Sequence, residues 1–356
     1  MSTDAYDHAA ICALLGAWAV GALPPSEQHI VPDHVAHCAP CAAEAERLRE
    51  TVRLLDGPPA GDTAPPAPAP PDGVLARALA ARPAAPRTAP HAQPYAAAVA
   101  ALQALLAELD PEPDAAPDLA AWRTPVIHDW TVQDTVAHLV AADEHLAVHV
   151  GLPAYDPPAP PASPAPRDTG WRTAWDTRTQ HVIAHERTRS PRATLTTWRT
   201  QATALLACPA AHDPELAARA ATLFGVRLPV ADHFLVRAFE TWIHADDIGR
   251  ALGHPVPAPP APHLWRLVRL GVRLLGLALG PAAEPVALTV TDADGGTEWV
   301  LGAEGAPVRA ELTLDAVDFC LLIGGRVTPR TVPRTSRGDE ATARTVLDRA
   351  ARLAWL

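Results

Sequence analysis

Residues 230–253, VADHFLVRAFETWIHADDIGRALG, constrain the fold of this chain more than any other stretch. Apolar residues fill most faces of the helix predicted here, while its polar residues recur at alternating steps of four and three and therefore share one face. These polar residues are His233, Arg237, Glu240, His244 and Asp247. A helix packed on most sides turns such a polar face to a pocket rather than to bulk water.

This polar face carries a candidate metal site. Glu240 and His244 are four residues apart, so both side chains can reach one metal ion, and His138 on a second predicted helix offers a third donor. Three protein ligands leave a coordination position open, which is typical of a catalytic metal, and imidazole with carboxylate suits zinc or a similar divalent ion. Asp134 and Asp247 lie one turn from these ligands and are candidates to orient an imidazole. The alternative for His138, taken alone, is a core histidine whose ring nitrogens form hydrogen bonds within the protein.

Composition sets the outer limits. A chain of 356 residues has room for two or three domains, and its formal net charge of −11 argues against a nucleic-acid-binding surface. No leader peptide is recognisable, and the most apolar run, residues 267–281, is too short to span a bilayer and contains two arginines. We therefore expect a soluble, cytoplasmic protein without a membrane partner. In such a reducing compartment the five cysteines favour metal ligation over disulfides.

Residues 1–56 contain a cluster with the spacing of metal ligands. His34, Cys38 and Cys41 form an H-x3-C-x2-C pattern, and Cys12 upstream is the candidate fourth ligand, with His8 and His37 as rivals. Two thiolates, an imidazole and one further donor complete a closed tetrahedral zinc site. Short helices flank the cluster and cannot bury enough apolar surface alone, so a structural metal is the expected staple. The alternative for Cys12 is an ordinary packed residue.

With the run LGAWAVGAL at 15–23, these residues resemble the zinc-binding anti-sigma domain of bacterial regulators. The resemblance implies zinc bound by Cys12, His34, Cys38 and Cys41, and a sigma factor of the extracytoplasmic-function type as partner. The excess of acids over arginines in residues 1–56 is compatible with a partner whose own surface is basic. The alternative is a solvated acidic face without a partner.

Residues 57–94 form a Pro/Ala-rich linker in which residues 72–81 are a short helix candidate, either a clamp on the sigma factor or a transient helix.

Residues 95–253 follow as long helical stretches without a strand signal, so we predict an up-and-down helical bundle with its site in the middle. Helices are expected at 95–109, from Thr131 to 150, at 170–189, 193–207 and 230–252. The chain as a whole is predicted to be mainly α.

The bundle resembles the DinB-like metal-binding module of mycothiol-dependent maleylpyruvate isomerases and related thiol transferases. The residues that carry this resemblance are Asp129-Trp130-Thr131-Val132, His138-Leu139, Arg237, and Glu240 to Asp247. The resemblance implies that His138, Glu240 and His244 bind zinc or another divalent metal. It further implies that the open position takes water or the thiol of mycothiol, and a metal ionises such a thiol at neutral pH.

Residues 254–356 are predicted to form a small α+β domain. VALTVTDADGGTEWVLG at 286–302 indicates a hairpin around Asp292, and a further strand, a helix and a closing helix follow. The segment resembles the second domain of the same isomerases through Gly324-Gly325-Arg326 and Gly338-Asp339. This resemblance makes Arg326, together with Arg237 of the bundle, a candidate catalytic residue, Arg326 holding an anionic substrate. The alternative for Arg326 is a surface arginine at a turn.

Two functions follow from these features. The first is a transcriptional regulator whose zinc domain holds a sigma factor and whose bundle senses a thiol or small ligand. The second is a mycothiol-dependent isomerase or S-transferase with an accessory zinc domain.

Overall fold

A computed structural model describes residues 8–20, 22–23, 27–56, 87–109, 119–155 and 170–353. The chain divides into two compact units, residues 1–74 and 75–356. The predicted short helix at 72–81 lies outside the described residues. Among the helices of the described ranges, none combines the length and the apolar character needed to cross a membrane.

The first unit contains three helices, α1 (His8–Ala19), α2 (Ile30–Val35) and α3 (Ala39–Asp56). Among the described residues of this unit, the buried hydrophobic cluster is small and consists of Leu15, Leu23, Val31, Cys41 and Ala45. A core of this size stabilises a fold only weakly, which is the situation in which small domains use a metal or a disulfide.

The second unit begins with a helical bundle, and the prediction of a mainly helical chain is confirmed. Its helices are α4 (Gln93–Ala107), α5 (Leu119–Trp122), α6 (Val132–His149), α7 (Trp171–Glu186), α8 (Pro191–Ala207), α9 (Pro214–Ala217) and α10 (Val230–Leu252). Helix α10 packs against α4 and α6, and α6 also packs against α7 and α8. The helix of residues 230–252 is thus enclosed on several sides, as its apolar faces predict.

Local signals at the ends of α6 and α10 explain their positions. The Thr131 side chain accepts a hydrogen bond from the Asp134 backbone N–H, and the Asp134 carboxylate accepts one from the Thr131 backbone N–H. This reciprocal capping box starts α6 at the predicted residue. Helix α10 follows Pro229 and ends at Gly253, whose φ of 74° is left-handed.

The expectation that the bundle contains no strands is wrong. Two short antiparallel hairpins occur, β1 (Pro125–Ile127) with β2 (Trp130–Thr131) and β3 (Ala220–Leu223) with β4 (Val226–Pro229). Each strand has two to four residues, which is below the length at which alternation of apolar and polar residues is readable. Phe224 and Gly225 both have positive φ, so they form the tight two-residue turn that joins β3 to β4.

The C-terminal part of the second unit is α+β, as predicted. Its sheet has the order β6–β5–β7–β8, with β5 and β7 parallel and the other pairs antiparallel. The elements are α11 (Ala261–Leu279), β5 (Val286–Asp292), β6 (Gly295–Leu301), β7 (Ala310–Asp315), α12 (Ala316–Ile323), β8 (Thr335–Gly338) and α13 (Glu340–Ala351). The β5–β6 hairpin turns at Asp292, as expected, whereas the short edge strand β8 was not predicted. One hydrophobic core runs through both the bundle and this sheet.

Candidate metal centre

Three side chains predicted to bind a metal converge between α6 and α10. The donor atoms of His138, Glu240 and His244 all lie within 4.8 Å of one another, and each residue is only 1% exposed. His138 Nε2 lies 3.0 Å from Glu240 Oε1. The structure therefore brings the predicted triad together in a buried site, where charges are costly unless they are paired or coordinate a metal.

His244 shows that this triad fits a divalent ion. Its Nδ1 lies 3.1 Å from Asp247 Oδ2, while its buried Nε2 has no hydrogen-bond partner in the described part of the chain. Burial lowers the pKa of His244 to about 4, against the opposing effect of Asp247, so the imidazole is neutral at pH 7. With Nδ1–H donating to Asp247, the Nε2 lone pair is available to a metal, which is the usual arrangement of a metal-binding histidine and a carboxylate.

Arg237 contacts the carboxylate of Glu240, one member of the triad. The two form a buried ion pair on α10, and the guanidinium also lies 4.9 Å from the centre of the Phe224 ring. Burial alone would raise the pKa of Glu240, but Arg237 and the hydrogen bond with His138 outweigh it and lower the pKa to about 2. Glu240 is consequently an anionic donor at every physiological pH.

Arg326 reaches the same site from the turn after α12. Its guanidinium nitrogens lie 2.5 to 3.2 Å from the carboxylate oxygens of Asp247, and its Nη2 lies 3.4 Å from His244 Nδ1. The Arg326 side chain is only 7% exposed, so the alternative of a surface arginine does not describe it. Burial opposes ionisation of Asp247, but His244 and Arg326 lower its pKa to about 2. The C-terminal α+β part of the chain thus contributes Arg326 to the residues that surround His244.

Of the two carboxylates predicted to orient an imidazole, only Asp247 is placed to do so. Asp134 instead caps α6 and binds Arg187 at 2.8 and 3.0 Å. The reason is the Thr131 capping box, which turns the Asp134 side chain back to the start of the helix and away from the triad.

Aromatic rings that the sequence analysis did not assign to the site surround the triad. The Trp130 ring lies 4.7 Å from the His138 ring and 6.5 Å from that of His244, and Trp175 lies 5.7 Å from His138. Phe224 packs 5.0 Å from Trp175. The unpredicted hairpins carry two of these rings, Trp130 on β2 and Phe224 in the turn between β3 and β4.

A second buried acid lies near the triad. Asp143 on α6 accepts a hydrogen bond of 2.6 Å from the Tyr95 hydroxyl of α4. Burial raises the pKa of Asp143 to about 7, although Arg237 and Tyr95 act in the opposite direction. Neither residue was predicted, because a single aspartate in an apolar helix has no sequence partner that reveals its role.

The first unit contains a separate cluster of metal-binding residues. The donor atoms of His8, His34, Cys38 and Cys41 all lie within 4.8 Å of one another. Cys12 is not a member of this group, although its Sγ lies 3.6 Å from Cys41 Sγ. Burial and the neighbouring thiols of Cys12 and Cys38 raise the pKa of Cys41 to about 12 in the metal-free unit. A divalent ion at this cluster would favour the ionised form of the Cys41 thiol. His37 instead lies with Nδ1 3.1 Å from the backbone oxygen of Asp33.

Comparisons with known proteins match this site's part of the chain. Residues 95–249 match the family described as mycothiol maleylpyruvate isomerase N-terminal domain. The predicted resemblance of the bundle to this family is thus confirmed at the level of the domain, which covers less than half of the chain.

Two proteins from two strains of Mycobacterium tuberculosis, each described as an uncharacterized protein, are 32% identical to the chain over 160 residues. The match covers 43% of this chain and 58% of each relative, so the chain spans little more than half their length. The crystal structure of the mycothiol-dependent maleylpyruvate isomerase is similar at 16% identity and a TM-score of 0.45, covering 70% of this chain and 92% of that one. The crystal structure of a mutant of that isomerase is similar at 15% identity and a TM-score of 0.44.

Proposed function

We propose that the bundle is a metal-dependent thiol enzyme in which His138, Glu240 and His244 hold zinc or another divalent ion. A small thiol, with mycothiol as the candidate, takes the open position, and the reaction is a thiol-dependent isomerisation or an S-transfer. The observation that carries the proposal is the buried triad with a neutral His244 whose Nε2 has no hydrogen-bond partner among the described residues and can bind a metal. The family match of residues 95–249 supports it, because that family is described by mycothiol and maleylpyruvate.

The charges around the triad favour an ionised thiol. Two carboxylates, Glu240 and Asp247, are paired with two guanidinium groups, Arg237 and Arg326, and His244 is neutral. The charges of these groups balance, so an anionic fourth ligand would offset one of the two positive charges of a divalent ion. A bound divalent ion lowers the pKa of a coordinated thiol, which makes the nucleophile available at neutral pH.

The chain's own residues then have distinct tasks. Asp247 holds the His244 ring, and Arg326 holds Asp247, so the direction of Nε2 is set from the sheet region. Arg237 holds Glu240 in the same way. The proposal therefore treats the two predicted catalytic arginines as positioning residues, while Trp130 and Trp175 shield the triad from water.

The test is metal content and thiol-dependent turnover in matched variants. The full chain, loaded with zinc, is assayed for isomerisation of maleylpyruvate with and without mycothiol, and its metal is measured by mass spectrometry. We expect Glu240→Gln to lose the bundle metal and the activity, and Glu311→Gln, at an exposed position of β7, to keep both. Turnover that persists in Glu240→Gln, or that does not need mycothiol, contradicts the proposal.

A second candidate function rests on the cluster in the first unit. Two thiols and two imidazoles within 4.8 Å support a zinc-stapled domain of the anti-sigma type, whose partner is a sigma factor of the extracytoplasmic-function type. In this proposal the bundle senses a thiol or small ligand. Affinity capture from the native host, followed by mass spectrometry, should recover a sigma factor with the wild-type chain and not with Cys38→Ser/Cys41→Ser. Capture of no sigma factor under reducing and oxidising conditions alike refutes it.

A further inference from the structure

A polar groove in the bundle has the features of a second small-molecule site. It lies between α8, the turn that joins α7 to α8, and residues 152–155 after α6, and its volume is about 510 Å³. Sites for small molecules usually enclose roughly 300–1,000 Å³. We propose that this groove binds a neutral ring compound rich in hydroxyl groups, a sugar or a cyclitol.

The groove is separate from the metal centre. Ala147 lines it from α6, nine positions after His138, and at about 100° per residue the two side chains project from opposite sides of that helix. Helix α10, which carries Glu240 and His244, supplies none of the described residues that line the groove. The inference therefore does not depend on the proposed metal chemistry.

One wall of the groove is a stripe of hydrogen-bonding side chains. Four residues with hydroxyl or amide groups line it from one face of α8: Thr196, Thr197, Thr200 and Gln201. Each threonine hydroxyl donates to the backbone oxygen four residues earlier, at 2.8 to 3.0 Å, so the hydroxyl oxygens remain able to accept. Gln201 Oε1 is buried and has no hydrogen-bond partner in the described part of the chain. Buried polar atoms are seldom left unpaired, so this oxygen indicates a missing donor.

The opposite wall presents a guanidinium group that is already held in place. Arg189 Nη1 donates to Glu186 Oε1 at 2.7 Å, to Thr197 Oγ1 at 3.0 Å and to the Tyr155 hydroxyl at 3.1 Å. All of these bonds use Nη1, and Nε and Nη2 make no hydrogen bond to another described residue. The Arg189 side chain is 34% exposed. Its remaining N–H groups can therefore donate to a ligand in the groove.

Tyr155 is fixed by a buried ion pair behind it. Its backbone N–H donates to Glu144 Oε1 at 3.0 Å, and its backbone oxygen accepts from Arg178 Nη2 at 3.1 Å. Glu144 and Arg178 are themselves joined by two bonds of 2.7 and 2.8 Å. The wall is thus formed before a ligand arrives, which reduces the entropy that binding must overcome.

Charge and polarity together select the class of ligand. Arg189 is paired with Glu186, which is fully buried, so the two charges offset each other and leave little attraction for an ion. An apolar ligand would cover the hydroxyl and amide groups of α8 without pairing them, which is costly. A ring with neighbouring hydroxyls can donate to the threonine and glutamine oxygens and accept from Arg189. Its C–H groups can pack on Leu152 and Ala204, which also line the groove.

Binding of simple sugars to the full chain tests the inference. Glucose, galactose, mannose and myo-inositol are the neutral probes, glucuronate is the anionic probe, and binding is measured by saturation-transfer NMR and by calorimetric titration. We expect saturable binding of at least one neutral probe at one site per chain. No saturable binding by any of the four neutral probes overturns the inference. Tighter binding of glucuronate than of every neutral probe overturns the assigned class of ligand.

Variants of α8 locate the bound sugar. We expect Gln201→Leu and Thr200→Val each to weaken binding about 3–10-fold, because each removes a hydrogen-bonding group from the groove. Thr200 is exposed, so its variant folds even if the change at half-buried Gln201 disturbs packing. The matched control is Thr177→Val on α7, an exposed threonine with the same bond to the preceding turn but outside the groove, and it should bind as wild type does. Unchanged affinity in both α8 variants overturns the proposed location.

A change at the metal centre separates the two sites. Glu240→Gln, which removes an anionic donor from the triad, should leave sugar binding unchanged, since the groove lies on the other side of α6. Loss of sugar binding together with the metal would place the sugar at the metal centre and overturn the inference. Retained sugar binding supports it whether or not the bundle proves to be a thiol enzyme.

Discussion

Replacing Arg326 by glutamine should destabilise the second unit and weaken metal binding together. The change removes the partner of a buried carboxylate, since Asp247 is 9% exposed and Arg326 binds both its oxygens. Removing one member of a buried ion pair costs about 3–5 kcal/mol in comparable proteins. The Asp247 pKa, lowered from 3.8 to about 2, corresponds to roughly 2–3 kcal/mol at 1.36 kcal/mol per unit, a contribution shared with His244. We therefore expect the free energy of unfolding to fall by about 2–4 kcal/mol at pH 7.

The same variant should show a defined pH dependence. Because the folded-state pKa of Asp247 is lowered, its contribution to stability is complete above pH 4 and is lost as the pH falls towards 2. The difference in unfolding free energy between wild type and Arg326→Gln should consequently shrink over that interval. Urea denaturation at several pH values, followed by tryptophan fluorescence, measures it.

Metal affinity provides the second readout for Arg326. Loss of a partner that orients a metal ligand typically weakens metal binding about 10–100-fold. Arg326 acts on His244 mainly through Asp247, so we expect Arg326→Gln to weaken metal binding by about tenfold, the lower end of that range. Arg337→Gln, at an exposed arginine of β8, is the matched control and should change neither quantity. If Arg326→Gln lowers turnover with unchanged metal affinity and stability, Arg326 contacts the substrate instead, and the positioning role is refuted.

Three further changes follow from the described contacts. Asp143→Asn should stabilise the unit at pH 8 by up to about 4 kcal/mol and should have no such effect at pH 4. The folded-state pKa of Asp143 is raised, so its ionisation costs stability as the pH rises from 4 to 7. Denaturation at both pH values measures the difference. Thr131→Ala should cost about 1 kcal/mol through loss of the cap that pairs with Asp134, measured by thermal unfolding; no change would refute the cap's importance. Gly249→Ala should cost about 1–3 kcal/mol, because an added Cβ would lie 2.4 Å from a backbone oxygen, and a stability equal to wild type in the same assay would contradict it.

Helical periodicity predicted the centre of this protein well. The alternating spacing of Glu240 and His244 places both on one face of α10, and a long, regular helix keeps that geometry in the fold. The pairing with His138 depends on tertiary packing, yet a histidine on a helix as apolar as α6 already indicated a buried position. Capping chemistry at Thr131 was readable for the same reason, since its partners are local.

What the sequence did not reveal depends on contacts between distant residues. Trp130 and Phe224 reach the triad on hairpins whose strands have at most four residues, too short for an alternation to be recognised. The Tyr95–Asp143 hydrogen bond joins residues 48 positions apart. In the first unit, His8 and Cys12 are one helical turn apart, so spacing alone could not decide which of them faces the cluster.

The most direct test of the proposed metal-dependent thiol chemistry is binding of mycothiol to cobalt in the bundle. In a Cys38→Ser/Cys41→Ser chain loaded with cobalt, the triad of His138, Glu240 and His244 contributes no sulfur, so the thiol added is the source of any new sulfur-to-cobalt absorption. We predict that this absorption appears on titration with mycothiol, saturates at one thiol per bundle cobalt, and is absent in a further Glu240→Gln variant. Cobalt bound to the bundle without such absorption, or absorption that survives Glu240→Gln, contradicts the account.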